Sequence, residues 1–491
     1  MFDWLKNKKN QNEQDIKKPV VIKRFFNAAA GGNIYGNWNP GDTSLDSEIY
    51  KSLPLMRARS REKWRNSSIA KRYSKLLRKN VVGKNGITFQ SLVLNSQKKP
   101  DQDARSRIEM SFKKFSMQGN CDVTRNYSII DIQKIVLDST ARDGEFLVWM
   151  RRGFKNDFGF ALQLLEADHL DHSYNDKLNN GNIIRMGIEK NRFGENIAFY
   201  LFPNHPGENA VIKGKRGDHI RVPAADLIHV FMPERVSGSR GFPWISAVIN
   251  DLHLIDLYRE AEIVAARTGA AKNGFYTQPE NAPGSKYISD TTQNGSPVSE
   301  IEPGINEVLP PGWAYTANDP QHPTTAFPSF LKSLYGSVAA GVDLSYHKLT
   351  GDLTEVNYSS GRLGDLDDRD TFRDLQSFLS QHLMDRIFYN WIDHAILSGE
   401  LSLPISKIEK YLAHDWQSRG WVWVDPEKDA KAKEREINAG FDTATAAAAE
   451  SGRSLEDVYK QQQSEALLRL KYGVLTPHDL KIMEALGESE K

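Results

Sequence analysis

Prolines concentrate in one internal stretch of the sequence and interrupt a pattern that is otherwise helical. Nine of the 21 prolines lie within residues 278–328 of the 491-residue chain. Proline lacks a backbone N–H and breaks helical hydrogen bonding, so a continuous helix is excluded there. On both sides, apolar residues recur at intervals of three and four, which is typical of helices with one buried face. The predicted order is therefore helix, loop-and-strand insertion, helix.

Three long helices are predicted around this insertion. Residues 243–272 precede it, a second helix begins near Phe327, and a third runs to about Leu397. Residues 350–361, between the second and third helices, are rich in turn-forming types and are interpreted as a loop. A further helical pattern covers residues 101–141.

The segment from residue 144 to residue 232 has a different pattern. Short apolar runs alternate there with turn-forming residues. The runs occupy residues 146–150, 160–165, 183–188, 197–202 and 227–232. This spacing predicts an antiparallel β region. The fold class is therefore α+β and predominantly helical.

Residues 51–84 form a basic segment. Twelve lysines and arginines and a single acid, Glu62, give it a net charge of +11 in a chain whose net charge is +1. This density favours phosphates or an acidic protein surface. The alternative is a solvated helix face that pairs with acids of a neighbouring subunit, and the sequence does not decide between them. The candidate contact residues are Arg57, Arg59, Arg61, Arg65, Lys71, Arg72 and Arg78.

Several classes of protein are disfavoured by missing motifs. The Gly-Lys pairs at residues 83–84 and 214–215 lack the other residues of a phosphate-binding loop. The single cysteine, Cys121, excludes a disulfide within the chain and any cysteine-based zinc or iron–sulfur site. No apolar stretch approaches the roughly 18 residues that a membrane span needs. We expect no cofactor, no membrane association and no catalysis.

Two polar clusters are candidate metal sites. Residues 166–172 combine carboxylates and imidazoles, including His169 and His172, and a second cluster contains Asp365, Asp367, Asp368 and Asp370. Such groups can bind divalent ions, and paired acids can serve a two-metal nuclease. A polar turn after a strand explains the first cluster better, because one short run does not define ligand geometry, and acids near the start of a helix explain the second. We prefer these structural interpretations and predict no metal site.

A set of motifs in fixed order extends from about Tyr50 to about Gly473. The motifs are residues 57–66 with 80–87, 164–170, 186–189, 227–231 with 240–243, 265–267, 351–362 and 423–430. The most specific is residues 351–362, GDLTEVNYSSGR. Taken in register, they resemble the lambda family of phage portal proteins. Phe242 departs from the family pattern, which usually has a smaller aliphatic residue there.

The resemblance implies the portal fold, a ring usually of twelve subunits around a central channel. By analogy it divides the chain as follows: 1–50 flexible N-terminal arm, 51–240 wing, 241–272 stem helix, 273–321 clip, 322–347 stem helix, 348–361 tunnel loop, 362–424 long helix with the base of the wing and crown, and 425–491 helical crown and C-terminal tail.

The resemblance also implies a function without catalysis. Double-stranded DNA would pass through the ring, at one capsid vertex, during packaging and ejection. The implied partners are the terminase large subunit, the head–tail adaptor, scaffold and the major capsid protein, in the virion and, during assembly, in the host cytoplasm. The implied channel residues are Leu353, Thr354, Glu355, Val356, Asn357, Tyr358, Ser359, Ser360 and Arg362.

A conduit must contact DNA without retaining it. Because cations that neutralise phosphates add affinity, we expect the basic segment to lie away from the channel. Residues 365–374 are expected to add an acidic wall. Tyr358 would either face the channel or pack beneath the loop. Two other functions stay open: a metal-dependent nuclease using the Asp365–Asp370 cluster or His169 and His172, and a monomeric nucleic-acid-binding protein using residues 51–84.

Overall fold

The structure is a computed structural model. It describes residues 42–208, 219–270, 274–277, 291–293, 296–298, 314–317, 326–421, 426–450, 455–474, 476 and 479. Residues 1–44 and residues 45–491 form two separate units. Most of the predicted N-terminal arm, residues 1–41, lies outside the described residues.

The last part of the predicted arm is a helix, α1, at Leu45–Tyr50, so the expected boundary at residue 50 is wrong. Leu45 and Ile49 are buried on one face. The Asp46 carboxylate accepts hydrogen bonds from the backbone N–H and the hydroxyl of Ser239, both at 2.7 Å. A helix of six residues is too short to show a periodic pattern, which is why the sequence did not reveal it.

Four helices and a short strand build the first layer around the core. They are α2 at Leu53–Asn66, α3 at Ser68–Leu77, strand β1 at Thr88–Ser91, α4 at Gln102–Phe115 and α5 at Ile129–Asp143. A π-helical turn, Arg78–Val82, extends α3. The N-caps of α3, α4 and α5 are Ser67, Asp101 and Ser128, whose side chains accept hydrogen bonds from first-turn N–H groups. The predicted helix over residues 101–141 is therefore two helices with a loop between them.

The predicted antiparallel β region is confirmed as two sheets, with strand orders β3-β2-β9 and β4-β5-β6-β7-β8. The strands are β2 at Glu145–Arg152, β3 at Phe160–Glu166, β4 at Asp176–Lys177, β5 at Ile183–Arg185, β6 at Ile188–Lys190, β7 at Asn196–Leu201, β8 at Ile220–Pro223 and β9 at Leu227–Phe231.

The apolar run at residues 183–188 is a hairpin rather than one strand. Met186 and Gly187 both have positive φ, 45° and 80°, as the central residues of a tight hairpin turn do. Met186 is 2% exposed, so the apolar pattern continues through the turn and hides it from sequence analysis.

The helix–insertion–helix order is confirmed in the described residues. Helix α6 is Ile249–Ala270, and α7 is Phe327–Gly341. Between them lie β10 at Gly274–Thr277, β11 at Thr291–Gln293, β12 at Ser296–Val298 and β13 at Ala314–Ala317, which pair as β10–β13 and β11–β12. Then follow α8 at Tyr346–Thr350, α9 at Tyr358–Leu379 and α10 at Asp385–Leu397, with a π-helical turn joining α9 to α10.

The remaining elements bring the late part of the chain back to the first layer. They are α11 at Ile408–Tyr411, β14 at His414–Gln417, α12 at Pro426–Asn438, α13 at Ala444–Glu450 and α14 at Leu455–Tyr472. Strand β14 pairs antiparallel with β1, opposing Trp416 to Phe89.

The main core is aromatic and centres on α10. Trp391 is fully buried, and its ring centroid lies 4.9 Å from that of Phe112 in an edge-to-face arrangement. The apolar stripe predicted for the long helix, from Phe372 to Ala395, is buried as expected. A smaller core forms where Leu147 and Leu170 pack with Phe199. Within the part of the chain described, no helix combines the length and apolar character needed to cross a bilayer.

Candidate nucleic-acid interface

The basic segment folds into α2, α3 and the π-helical turn after α3, and part of its charge is used inside the protein. Arg57 Nη2 lies 2.5 Å from Glu145 Oε1. Arg61 pairs with Asp143 at 2.8 Å and also with Asp168. Lys63 Nζ lies 3.0 Å from Asp256, which ties α2 to α6. These three cations are buried or half-buried.

Arg57 belongs to a fully buried ionic cluster around Glu145. The Glu145 carboxylate also pairs with Arg240, and it lies 2.7 Å from Nε2 of His229. Burial alone would raise the pKa of Glu145, but the guanidinium groups of Arg240 and Arg57 outweigh it and hold the pKa well below its usual range. The prediction of Arg57 as a surface contact is therefore wrong. The sequence did not reveal its burial because its partners lie far away along the chain.

The other cations of the segment face solvent. Arg59, Arg65 and Lys71 are exposed, and no hydrogen bond or ion pair joins their side chains to the residues that the structure describes. Lys75 and Lys79 follow Lys71 at four-residue intervals, so three cations lie along one side of α3 and its extension. Such a row attracts polyanions.

Arg72 and Arg78 make long contacts. Arg78 Nε lies 3.8 Å from Asp138. Two guanidinium nitrogens of Arg72 lie 3.4 Å from the carbonyl oxygen of Lys348 in α8. Because α8 leads into the predicted tunnel loop, the basic segment and that loop lie on neighbouring elements of the chain. The expectation that the basic segment lies away from the channel stays a prediction.

The connection between α8 and α9 is residues 351–357, shorter than the predicted loop. Leu353, Thr354 and Glu355 are exposed, and Val356 is half-buried. The Asp352 carboxylate accepts hydrogen bonds from Thr354 N at 3.0 Å and Oγ1 at 2.7 Å, and these bonds lower the pKa of Asp352. Glu355 pairs with Lys332 of α7. The exposed part of the loop is thus bonded through Asp352 at its start and through Glu355 near its end.

Four predicted loop residues, Tyr358, Ser359, Ser360 and Arg362, lie instead in the first turns of α9. Asn357 is the N-cap, and its side-chain oxygen accepts a hydrogen bond from Ser360 N at 2.8 Å. Asparagine favours turns and helix caps alike, so the sequence left the boundary ambiguous. Tyr358 is 61% exposed, which decides against packing beneath the loop.

The acids at the start of α9 act mainly as structural acceptors. Asp365 lies 2.5 Å from Lys348 Nζ. Asp368 is buried and accepts hydrogen bonds from Ser345 N at 2.7 Å and Oγ at 2.6 Å. These two acids and His347 have ligand atoms within 4.8 Å of one another, but Asp367 and Asp370 do not join that group of described residues. The four acids of the predicted cluster therefore do not converge on one site among the described residues.

The cluster at residues 166–172 is likewise dispersed. Glu166 and Asp168 approach His205 rather than His169 or His172. Asp168 is paired with Arg61 and lies 3.6 Å from Arg57 Nη1. Two guanidinium groups beside this carboxylate disfavour a metal ion electrostatically. That neither cluster binds a metal ion stays a prediction.

Known proteins of one family match most of this chain. The family model described as phage portal protein, lambda family, matches residues 31–376. A probable portal protein of Halomonas phage phiHAP-1 is 37% identical, covering 96% of this chain and 92% of that protein. Portal protein B of Escherichia phage lambda is 20% identical, covering 93% and 92%.

Among solved structures, the neck of an empty gene transfer agent particle is similar with a TM-score of 0.44 at 10% identity, covering 81% of this chain and 93% of that one. The family model alone spans more than half of the sequence, and the Halomonas phage relative matches almost end to end. The chain therefore belongs to the lambda family of phage portal proteins, which are structural components of phage particles and not enzymes.

Proposed function

We propose that this portal protein assembles into a closed ring, of twelve copies as is usual for the family, at one vertex of an icosahedral capsid. Double-stranded DNA passes through its channel during packaging and ejection. The observation that carries the proposal is family membership over nearly the whole chain. The wing, stem, clip, tunnel-loop and crown divisions given above belong to the same proposal.

Exposed apolar side chains on the long helices support assembly. Leu254 and Leu257 of α6 are 61% and 49% exposed, and Leu363 of α9 is 69% exposed. Phe330 of α7 is 50% exposed. Complete burial of a fully exposed side chain of this size stabilises by about 1.5–3 kcal/mol, and these partly exposed side chains would contribute part of that. Neighbouring copies of the same chain would cover these positions in a ring.

The loop at residues 351–357 and the first turn of α9 suit transient contact with DNA. Thr354, Ser359 and Ser360 offer neutral hydroxyl groups, which can donate to phosphates without reading the base sequence. Glu355 is already paired with Lys332, so it adds little repulsion. Asp352 stays ionised, so the loop keeps about one negative charge, which weakens its attraction for a passing duplex, as a conduit requires.

The proposal includes partners and location. The ring docks the terminase large subunit, the head–tail adaptor, scaffold and the major capsid protein. It occupies the virion vertex, after assembly in the host cytoplasm. The absence of a phosphate-binding loop in the sequence fits a packaging reaction driven by the terminase rather than by this chain.

The mass of the purified protein tests the ring directly. Twelve copies of a 55.5 kDa chain have a mass of about 666 kDa, which light scattering coupled to gel filtration measures. Electron micrographs should show a circular particle with a central pore. A 55.5 kDa species at every concentration and salt, also in the presence of scaffold, would refute the proposal.

A further inference from the structure

A concave surface runs between the basic segment and the first sheet, and we call it the basic trough. It consists of two cavities of about 420 and 510 Å³. The two cavities share Arg78, Asp138, Arg142 and Glu166 in their walls. The smaller one is bounded by α2 and α3, and the larger one extends along α5 towards β2 and β3.

The smaller cavity contains more positive charge than its own acids neutralise. Five of its lining residues are arginine or lysine, and only Asp138 and Glu166 are acidic. Two of the five, Arg61 and Arg142, pair with Asp143 outside the lining, so the surplus positive charge belongs to the other three. Arg65 and Lys71 are exposed and have no ion pair with another described residue. Arg78 reaches Asp138 only at 3.8 Å.

The two acids of the trough already contact residues of its own walls. Asp138 accepts hydrogen bonds from the Ser74 hydroxyl and, at 3.3 Å, from the Trp64 indole N–H. Glu166 lies 3.7 Å from Arg142. Carboxylates from outside the chain would pair with the exposed side chains of Arg65 and Lys71.

The larger cavity is apolar in part. Tyr127 is 36% exposed there, and Ile135 and Leu164 are half-buried in its wall. A ligand that filled the whole trough would therefore present acidic groups at one end and apolar groups at the other. A DNA backbone offers phosphates and deoxyribose but no apolar side chains, and a rigid duplex is too wide to fill a concavity of this size.

We propose that the basic trough is a docking site for an acidic, amphipathic segment of a partner protein. Its carboxylates pair with Arg65, Lys71 and Arg78, and its apolar side chains pack against Tyr127 and Leu164. The charge complementarity of the trough carries this choice of partner. The inference does not rest on the conduit function, because it requires only the folded chain.

A binding measurement with defined probes tests the inference. The probe is a fluorescein-labelled peptide of alternating glutamate pairs and leucines, and the control peptide replaces every glutamate with glutamine. Fluorescence anisotropy with the full chain should show binding of the acidic peptide and none of the control. The combined change Arg65→Gln, Lys71→Gln and Arg78→Gln should weaken binding about tenfold, since three exposed pairs are lost.

A matched triple variant distinguishes binding at the basic trough from attraction by the overall charge of the protein. Arg59→Gln with Lys75→Gln and Lys79→Gln removes the same charge from exposed positions outside the trough, and should change affinity less than about twofold. The single change Tyr127→Ser should weaken the acidic peptide severalfold while leaving binding of a labelled DNA duplex unaltered.

Three outcomes would overturn the inference. The first is no measurable binding of the acidic peptide. The second is an equal loss in the two triple variants, which would indicate attraction by overall charge. The third is a trough variant that loses affinity for the duplex but not for the peptide, which would make the trough a nucleic-acid site.

Discussion

Neutralising Glu145 should destabilise the fold more than any single change at the surface. The substitution Glu145→Gln keeps the shape of the side chain and removes its charge. Arg57 and Arg240, which now lie 2.5 and 2.7 Å from its carboxylate oxygens, would then be buried cations beside a neutral amide. The carboxylate is fully buried, so water cannot replace the lost charge.

The expected loss is about 3–5 kcal/mol, the usual cost of leaving one side of a buried ion pair uncompensated. For a chain of this size, that corresponds to a fall of roughly 5 °C in the unfolding midpoint. Differential scanning calorimetry or fluorimetry measures it. Arg57→Met should cost less, about 1–3 kcal/mol, because Glu145 keeps Arg240 as its partner.

An exposed ion pair provides the control. Asp370 and Arg373 lie 2.7 Å apart with side chains 72% and 54% exposed. Asp370→Asn should therefore shift the midpoint by no more than about 1 °C. If Glu145→Gln shifted the midpoint no further than Asp370→Asn, the argument from uncompensated buried charge would be refuted.

Four further outcomes are expected. Replacing residues 353–356 with glycine and serine keeps the Asn357 cap, so the ring mass should persist while DNA packaging or retention falls; loss of the ring would make the loop an assembly element. Leu363→Asp should reduce the mass measured by light scattering, whereas Leu397→Asp, at a position of similar exposure (69% and 68%), should not. Burial raises the pKa of Cys121 to about 12, so native protein should react with thiol reagents only after unfolding; rapid native labelling would contradict this. Burial lowers the pKa of His229, so the fold favours its neutral form. This contribution to stability is complete above the unfolded pKa of about 6.5 and is lost as the pH falls through the lower folded pKa. The unfolding midpoint should therefore fall on acidification, and less steeply in His229→Gln.

Periodic patterns predicted the long helices, each of which buries one apolar face. The stripe from Phe372 to Trp391 is buried as expected, because a sustained helical period leaves few alternatives. The proline-rich insertion could be predicted equally well, since proline directly excludes a continuous helix. The hairpin at Met186 and Gly187 was not, because an apolar residue stands at a position where turns are usually polar.

The candidate site was harder to predict for a physical reason. A cation in the sequence looks the same whether it faces solvent or a buried acid. Arg57 and Arg59 are two residues apart, yet one is 3% exposed and the other faces solvent. The difference is set by Glu145, 88 residues away, and such pairing over long separations leaves no local pattern.

The pairing of β1 with β14 bears on how the chain folds as it leaves the ribosome. Phe89 completes its aromatic surroundings only with His414 and Trp416, whose ring centroids lie 5.8 and 5.5 Å away. That side of the aromatic core stays open until residue 417 has been synthesised, since contacts this distant in sequence form late. Polypeptides truncated before β14 would expose Phe89 and Phe388 to water, which marks them for chaperones and proteases rather than for incorporation into a particle.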